Sequence, residues 1–255
     1  MKFENTEVFN LKNAIRGMRN PLNSWDKSDS GNGCCSPSCS TKFVLCKDCN
    51  YCDEEDKEGC SGINSYYQIG ENDLKLAKKL LKSSEQRKYL RQIFVSVDLT
   101  GPLYWWKEMD TYKVGTTANS TSTMHKLATT KITKECFEMD DFNGDLFVDV
   151  PVEGESWYTP HWHIDSFWDI LLNKLEELRR TLNDENTGAE TKKALWKEFV
   201  RLLPESWLQT RTWTANYEVL RSIYRQRKNH KLTEWHRFCE WVETLPYAKE
   251  LIIGE

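Results

Sequence analysis

The chain has no excess of basic charge. Its 255 residues carry 35 Lys plus Arg against 39 Asp plus Glu, for a formal charge of −4. Proteins whose main task is to bind nucleic acid usually show a basic balance, so that class is set aside. Lysine-rich stretches such as Lys75 to Lys88 read as a solvated helix face. Long apolar runs are missing as well. Met1 to Met18 is polar and mixed, with no apolar core, so neither a signal peptide nor a membrane span is expected. The expectation is a cytoplasmic protein with neither membrane nor nucleic acid as partner. No internal repeat is visible. No residue sits in the nucleophile setting that a hydrolase using His and Asp would need. Cysteine is scarce outside one stretch, where only Cys136 and Cys239 occur.

What is present fits a soluble globular protein. A chain of this length forms one large domain or two small ones and buries about three quarters of its unfolded surface, so it folds without staples. Hydrophobic residues make up 39% and charged residues 29%. Aromatics are abundant and Trp-heavy, with 11 Trp, 10 Tyr and 10 Phe. Most of them fill a core. Side chains of this kind also suit a pocket for flat ligands.

Seven of the nine cysteines (34, 35, 39, 46, 49, 52 and 60) fall within 27 residues. In a reducing compartment such clustering more often means metal than disulfides. The stretch 26–62 is rich in Ser, Gly, Asp and Cys and has little apolar periodicity, so it reads as an insertion. Residues 1–25 then form the first segment of the main domain, and 63–255 the catalytic body. Cys46, Cys49, Cys52 and Cys60 have ligand-like spacing for Zn²⁺. The Cys-x-x-Cys-x-x-Cys run is also compatible with an iron–sulfur cluster, without its usual fourth position and Pro. His161, His163 and Asp165 form a weaker cluster, better read as the lead-in to a helix.

Periodicity assigns the remaining elements. Leu74, Ala77, Leu80 and Leu81 predict a helix from about Asp73, capped by Asn72 or Asp73. Ile93 to Leu99 alternates with period two and predicts a strand with one buried face, ended by Gly101-Pro102. Leu103 to Trp106 opens a short helix. The hydroxyl-rich run from Lys113 to His125 reads either as a surface loop or as a holder of phosphate and ribose oxygens. Asn143-Gly144 predicts a hairpin between Phe137–Phe142 and Leu146–Val152. Four helices follow: 167–182 with a Ser166/Asp169 capping box, then 192–203, 216–227 and 232–245. The class is α+β, a small antiparallel sheet flanked by helices with a mostly helical C-terminal half.

The C-terminal part carries the most specific pattern. It reads Leu203-Pro204, then Trp213-Thr214-x-Asn216, then Arg227, then His230 and Glu234. This order and spacing resemble the flavin-dependent thymidylate synthases, with one residue deleted before His230 and Glu234. The strand at 93–99, Pro102 and Trp106-Lys107 stand where that family has a strand and a helix leading into its Arg-His-Arg-x-x-Ser-x-Asn-Glu-x-Ser-x-Arg signature. With two residues inserted, Asn119 and Ser122 match that signature. Asp110, Thr111 and Tyr112 replace the three basic residues, Ser120 the Glu and Met124 the last Arg. The resemblance covers about residues 66 to 250.

The resemblance implies a homotetramer that reductively methylates dUMP. FAD would be its cofactor, and NADPH and methylenetetrahydrofolate its co-substrates. Asn216, His230 and Asn119 would contact the cofactor. Ser122, Arg227 and Lys107 would contact the nucleotide. On their own, Asn216 also reads as an N-cap, Arg227 as an exposed helix arginine and His230 as a capping or surface histidine. The altered signature keeps two further readings open. One is a flavoenzyme acting on another pyrimidine nucleotide. The other is an inactive, metal-containing binding or regulatory protein of the same fold.

Overall fold

The computed structural model describes residues 1–32, 67–123, 127–149 and 161–254. In chain order the elements are β1 (Lys2–Phe9), α1 (Leu11–Gly17), β2 (Gly31–Asn32), β3 (Tyr67–Gln68), α2 (Glu71–Leu80), β4 (Phe94–Pro102), α3 (Leu103–Met109) and β5 (Thr117–Ser120). Then come β6 (Phe147–Asp149), β7 (His161–His163), α4 (Ile164–Asn183), α5 (Ala189–Leu202), β8 (Leu208–Asn216), α6 (Tyr217–Arg227) and α7 (Thr233–Glu243). A π-helix, Lys249–Ile253, follows α7, and short 3-10 turns fill several connections. The class is α+β, as the sequence predicts.

Four strands form one sheet in the order β1-β4-β8-β5. β4 and β8 run antiparallel: Thr100 bonds Thr210 (2.7 Å) and Ser96 bonds Thr214 (3.2 Å), one index rising as the other falls. Asn5 donating to Asp98 (2.8 Å) and Asn10 to the Gln92 carbonyl (2.8 Å) run the same way beside β1. Period-two alternation makes β4. Val95, Val97 and Leu99 are buried, while Phe94, Ser96 and Asp98 are half-buried. β2 pairs with β3 through Gly31↔Gln68 and Asn32↔Tyr67, which clamps the two ends that flank residues 33–66.

Contacts gather the chain into two compact units. One comprises Met1–Lys2, Leu99–Thr111 and Asn119–Thr212. Its core is Leu127, Ile132, Phe137, Leu175, Leu178 and Phe199. Fully burying each such side chain contributes about 1.5–3 kcal/mol. Phe137 packs edge-on against Trp168 and Trp207, at 5.2 and 5.5 Å between ring centres. Glu176 on α4 ties this core to its loop. It accepts from both Nε and Nη2 of Arg179 (2.8 and 2.7 Å) and from the Ile132 amide (3.2 Å).

The other unit comprises Phe3–Asp98, Tyr112–Ala118 and Trp213–Glu255. Trp213, Trp235, Phe238 and Trp241 build its aromatic core, with Phe3 stacked on Trp241 at 5.1 Å. Arg221 of α6, only 3% exposed, donates through Nη1 to the carbonyls of Ile252 (2.8 Å) and Gly254 (2.7 Å). This anchors the π-helix, whose last carbonyls lack intrahelical partners.

Three local expectations are corrected. The first is the cap of α2. The helix starts one residue after Gly70, and neither Asn72 nor Asp73 caps it. Asp29 instead accepts from the amides of Asn72 (2.8 Å) and Asp73 (3.1 Å). A Cβ on residue 70 would collide with Asp29, so glycine is required there. Burial pushes the Asp29 carboxyl up, but these amides hold it below the usual value. Asp73, fully buried, takes Arg19 (2.5 Å), Ser28 (2.6 Å) and Ser30 (2.5 Å). Its carboxylate neutralises a buried guanidinium and is unavailable for capping.

The second is the hairpin. β6 pairs with β7 (Phe147↔His163), not with 137–142. Phe137 makes a bridge to Trp207, and its buried ring holds that segment away. His161–His163 is therefore a strand directly ahead of α4. The third is the Ser166/Asp169 capping box. α4 starts at Ile164 with no side-chain cap, and Asp165 and Asp169 face Lys134 instead (2.5 and 3.6 Å).

The Arg179 fork holds the Glu176 carboxyl down to about 2, from an ordinary 4.5, against the opposing effect of burial. A group depressed on folding stabilises fully above its unfolded value and loses that contribution as pH falls through its folded value. The urea stability gap between wild type and Glu176→Gln is therefore expected to shrink from about pH 6 to about pH 2. A gap that stays constant over that range would contradict this.

Candidate functional site

α6 organises the site. Leu220, Ile223 and Tyr224 bury one of its faces, and Arg225 and Arg227 in the last turn complement the helix dipole. At its start the Asn216 side chain accepts from the Val219 amide (3.0 Å), so this residue is the N-cap. At its end the Arg227 guanidinium lies 4.6 Å from the Trp235 ring centre and 5.5 Å from that of Tyr112. Arg227 Nε donates to the Tyr112 hydroxyl (2.8 Å). Trp235 also meets the His230 ring edge-on at 6.2 Å. Nδ1 of His230 accepts from the Leu232 amide (3.2 Å), so the neutral ring carries its proton on Nε2. Stacking of this kind contributes about 0.5–2 kcal/mol and fixes the plane of the guanidinium fork.

The segment 112–116 follows α6 from end to start. Tyr112 touches the last turn through Arg227, and Gly115 closes on the first. Gly115 has φ +80°, and a Cβ there would come within 3.0 Å of Asn216 Nδ2 and of Val219 Cγ2. Only glycine meets both demands without strain. The segment then enters β5, whose residues Thr117 to Ser120 are all exposed. The hydroxyl-rich run is thus partly a strand, not only a loop.

In the other unit, Arg211 on β8 lies 4.1 Å over the Trp106 ring and pairs with Asp110 (2.8 Å). Lys107 pairs with Glu205. Asn119 stands exposed on β5, and Ser122 lies exposed just beyond it, where the Thr121 amide donates to the Thr210 carbonyl (2.9 Å).

A cavity of about 1120 Å³ opens beside α1 and α2. Met18, Leu76, Leu80 and Tyr89 supply its apolar wall, and Asn20, Asn72, Gln86 and Gln92 its amides. Lys27 and Lys88 bring positive charge, while the charge of Arg19 is matched by Asp73. Gln92 precedes Ile93, whose carbonyl accepts from the Tyr217 amide (3.0 Å).

Arg227 and His230 come together at the end of α6, with Asn216 some three turns away at its start. Asn119, Ser122 and Lys107 belong to the other unit. Cys46, Cys49, Cys52 and Cys60 lie outside the described residues. Sequence reading missed two partners of Arg227. Trp235 reads only as a core position of α7, and Tyr112 only as a lost basic residue. The cavity had no local signal, because its walls come from residues 17–27 and 72–92.

The fold aligns with the flavin-dependent thymidylate synthase ThyX from Helicobacter pylori complexed with FAD and dUMP. The TM-score is 0.55 at 16% identity, over 96% of this chain and 95% of that one. A second structure of the Helicobacter pylori enzyme, also with FAD and dUMP, aligns with TM-score 0.55 and 14% identity, over 98% and 95%. No family model matches the sequence, and no curated protein matches it. The likeness is one of fold, and it runs nearly end to end.

Replacing the cap by Asn216→Ala is expected to cost about 1 kcal/mol in urea unfolding, and Asn216→Asp to retain most of it. Equal losses in both variants would mean that Asn216 acts through something other than its cap.

Proposed function

We propose that this chain is a flavin-dependent enzyme that methylates the pyrimidine ring of dUMP, with NADPH and methylenetetrahydrofolate as co-substrates. The carrying observation is the Arg227 guanidinium, which sits 4.6 Å from the Trp235 ring centre and donates through Nε to the Tyr112 hydroxyl, at the position where the resemblance expects a nucleotide-binding arginine. A planar five-donor fork of fixed orientation suits a phosphate or a uracil carbonyl. Ser122 and its hydroxyl neighbours on and after β5 would take phosphate oxygens.

The cavity by α1 and α2 fits FAD by its chemistry. Its apolar wall accepts a flat ring, its amides match ring and ribose polar atoms, and Lys27 and Lys88 match phosphates. Reduced flavin supplies the hydride and the folate supplies the carbon. The chain's own residues bind and orient. Asn216 would contact the flavin from the start of α6, His230 from beside Trp235, and Arg227 would hold the nucleotide. By the same resemblance the working form is a homotetramer with sites completed between subunits. Residues 26–62 enter the proposal as an accessory module, with zinc held by Cys46, Cys49, Cys52 and Cys60.

One observation favours a second reading, a flavoenzyme acting on a different pyrimidine nucleotide. Asp110 places a carboxylate where the resemblance expects a cation, and that carboxylate neutralises Arg211. Such a protein would bind FAD and form no thymidylate.

The test is turnover. Protein reconstituted with FAD, NADPH, methylenetetrahydrofolate and dUMP is expected to form thymidylate. Flavin binding without product would support the second reading, and absence of both would overturn the proposal. In Arg227→Lys, which keeps the charge but loses the fork, nucleotide affinity is expected to fall about 10- to 100-fold, the equivalent of one charge-assisted hydrogen bond. FAD binding should stay intact in that variant.

A further inference from the structure

α2 carries Lys75, Lys78 and Lys79, and the turn just after it adds Lys82, spaced i, i+3, i+4 and i+7. That stripe is about 10 Å long at 1.5 Å per residue. It does not simply face open solvent. The π-helix packs against α2, and the two elements enclose a groove of about 490 Å³ lined by these four lysines with Lys249, Glu250 and Gly254. Among the described residues, five ammonium groups thus line the groove with one carboxylate, in a chain whose formal charge is −4. Among the described residues none of the five lysine ammonium groups makes an ion pair or a side-chain hydrogen bond.

This arrangement works against the helix. Lys75 with Lys79 and Lys78 with Lys82 are like charges at i,i+4, and the i,i+3 pairs add to them. Arg221 increases the effect by fixing the π-helix through its carbonyls, which keeps Lys249 close to the stripe. Concentrated positive charge in a concave site is relieved by a multiply charged anion.

We infer that this groove is a binding site for a compact polyphosphate, such as an oligophosphate or the phosphate chain of a nucleotide. Lysine ammoniums are point charges on flexible stems, which suits successive phosphates better than a single planar group. The volume falls within the range of small-molecule sites, about 300–1000 Å³. Among the described residues no aromatic ring lines the groove, so they offer no stacking platform of the kind that single-strand binders use. Nor does the lining offer an apolar side chain that would enter a bilayer. The α2 face that carries Ala77 is turned inward and buried.

Calorimetry on the full chain with inorganic tripolyphosphate tests this. One site is expected, weakening steeply from about 50 to about 200 mM salt. Tripolyphosphate should bind about tenfold or more tightly than orthophosphate. Lys79→Gln combined with Lys249→Gln should weaken it by about 10-fold or more, and Lys75→Gln with Lys82→Gln should do the same, so one poorly folded variant would not decide the result. Circular dichroism and thermal melts establish that each variant is folded. No heat at millimolar tripolyphosphate, or unchanged affinity in both folded double variants, would overturn the inference. Stronger binding to phosphoinositide vesicles or to an RNA oligonucleotide than to tripolyphosphate would also overturn it, by making the groove a docking surface for a membrane or for nucleic acid.

Discussion

The antiparallel pairing of β4 with β8 is the contact on which the structure depends. It joins residues 94–102 to 208–216, more than a hundred positions away, and its register is fixed by Thr100 on Thr210 and Ser96 on Thr214. A slip of one residue would turn Val95, Val97 and Leu99 to the other face and empty the core. Each strand then hands its chain directly to a helix. β4 runs into α3, which carries Trp106 and Lys107, and β8 runs into α6 through Asn216. The start of α6, and with it the line from Asn216 to Arg227, is therefore set by the sheet. The Tyr217 amide bonded to the Ile93 carbonyl repeats the constraint at the strand end.

Features that depend on neighbours in sequence could be read from it. The alternation in β4 and the apolar stripes of α6 and α7 predict elements that the structure contains, because local period decides which face is buried. The Asn216 cap was readable for the same reason. The caps of α2 and α4 were not. Asp73 has the residue type of a cap, but it is engaged by Arg19, fifty-four positions earlier, and the capping carboxylate comes from Asp29. Asp165 and Asp169 are likewise drawn to Lys134. The Asn143-Gly144 signal indicated a turn without naming its partner strand, and the burial of Phe137 between Trp168 and Trp207 chose another.

The candidate site follows the same division. The resemblance singled out Arg227 and, with one residue deleted, His230; on their own they read as an exposed helix arginine and a capping or surface histidine. What holds Arg227 was hidden. Tyr112 is remote in sequence, and Trp235 serves the core and the cation at once. The substitution of the resemblance's basic residue by Tyr112 takes on a physical meaning in the fold. A charge is exchanged for a ring and a hydroxyl that orient the remaining arginine. Asp110 has the opposite effect, since its carboxylate balances Arg211. Lys75, Lys78, Lys79, Lys82 and Lys249 gather positive charge on and beside α2 instead.

The central claim is that this fold holds a flavin next to a nucleotide bound at Arg227. The visible absorption spectrum of the purified full chain tests it most directly, recorded before and after addition of dUMP. The account predicts a yellow protein with the bands of oxidised flavin, FAD released on denaturation, and a band shift on dUMP addition that Arg227→Lys loses. A colourless protein that takes up no FAD when the cofactor is supplied would contradict it.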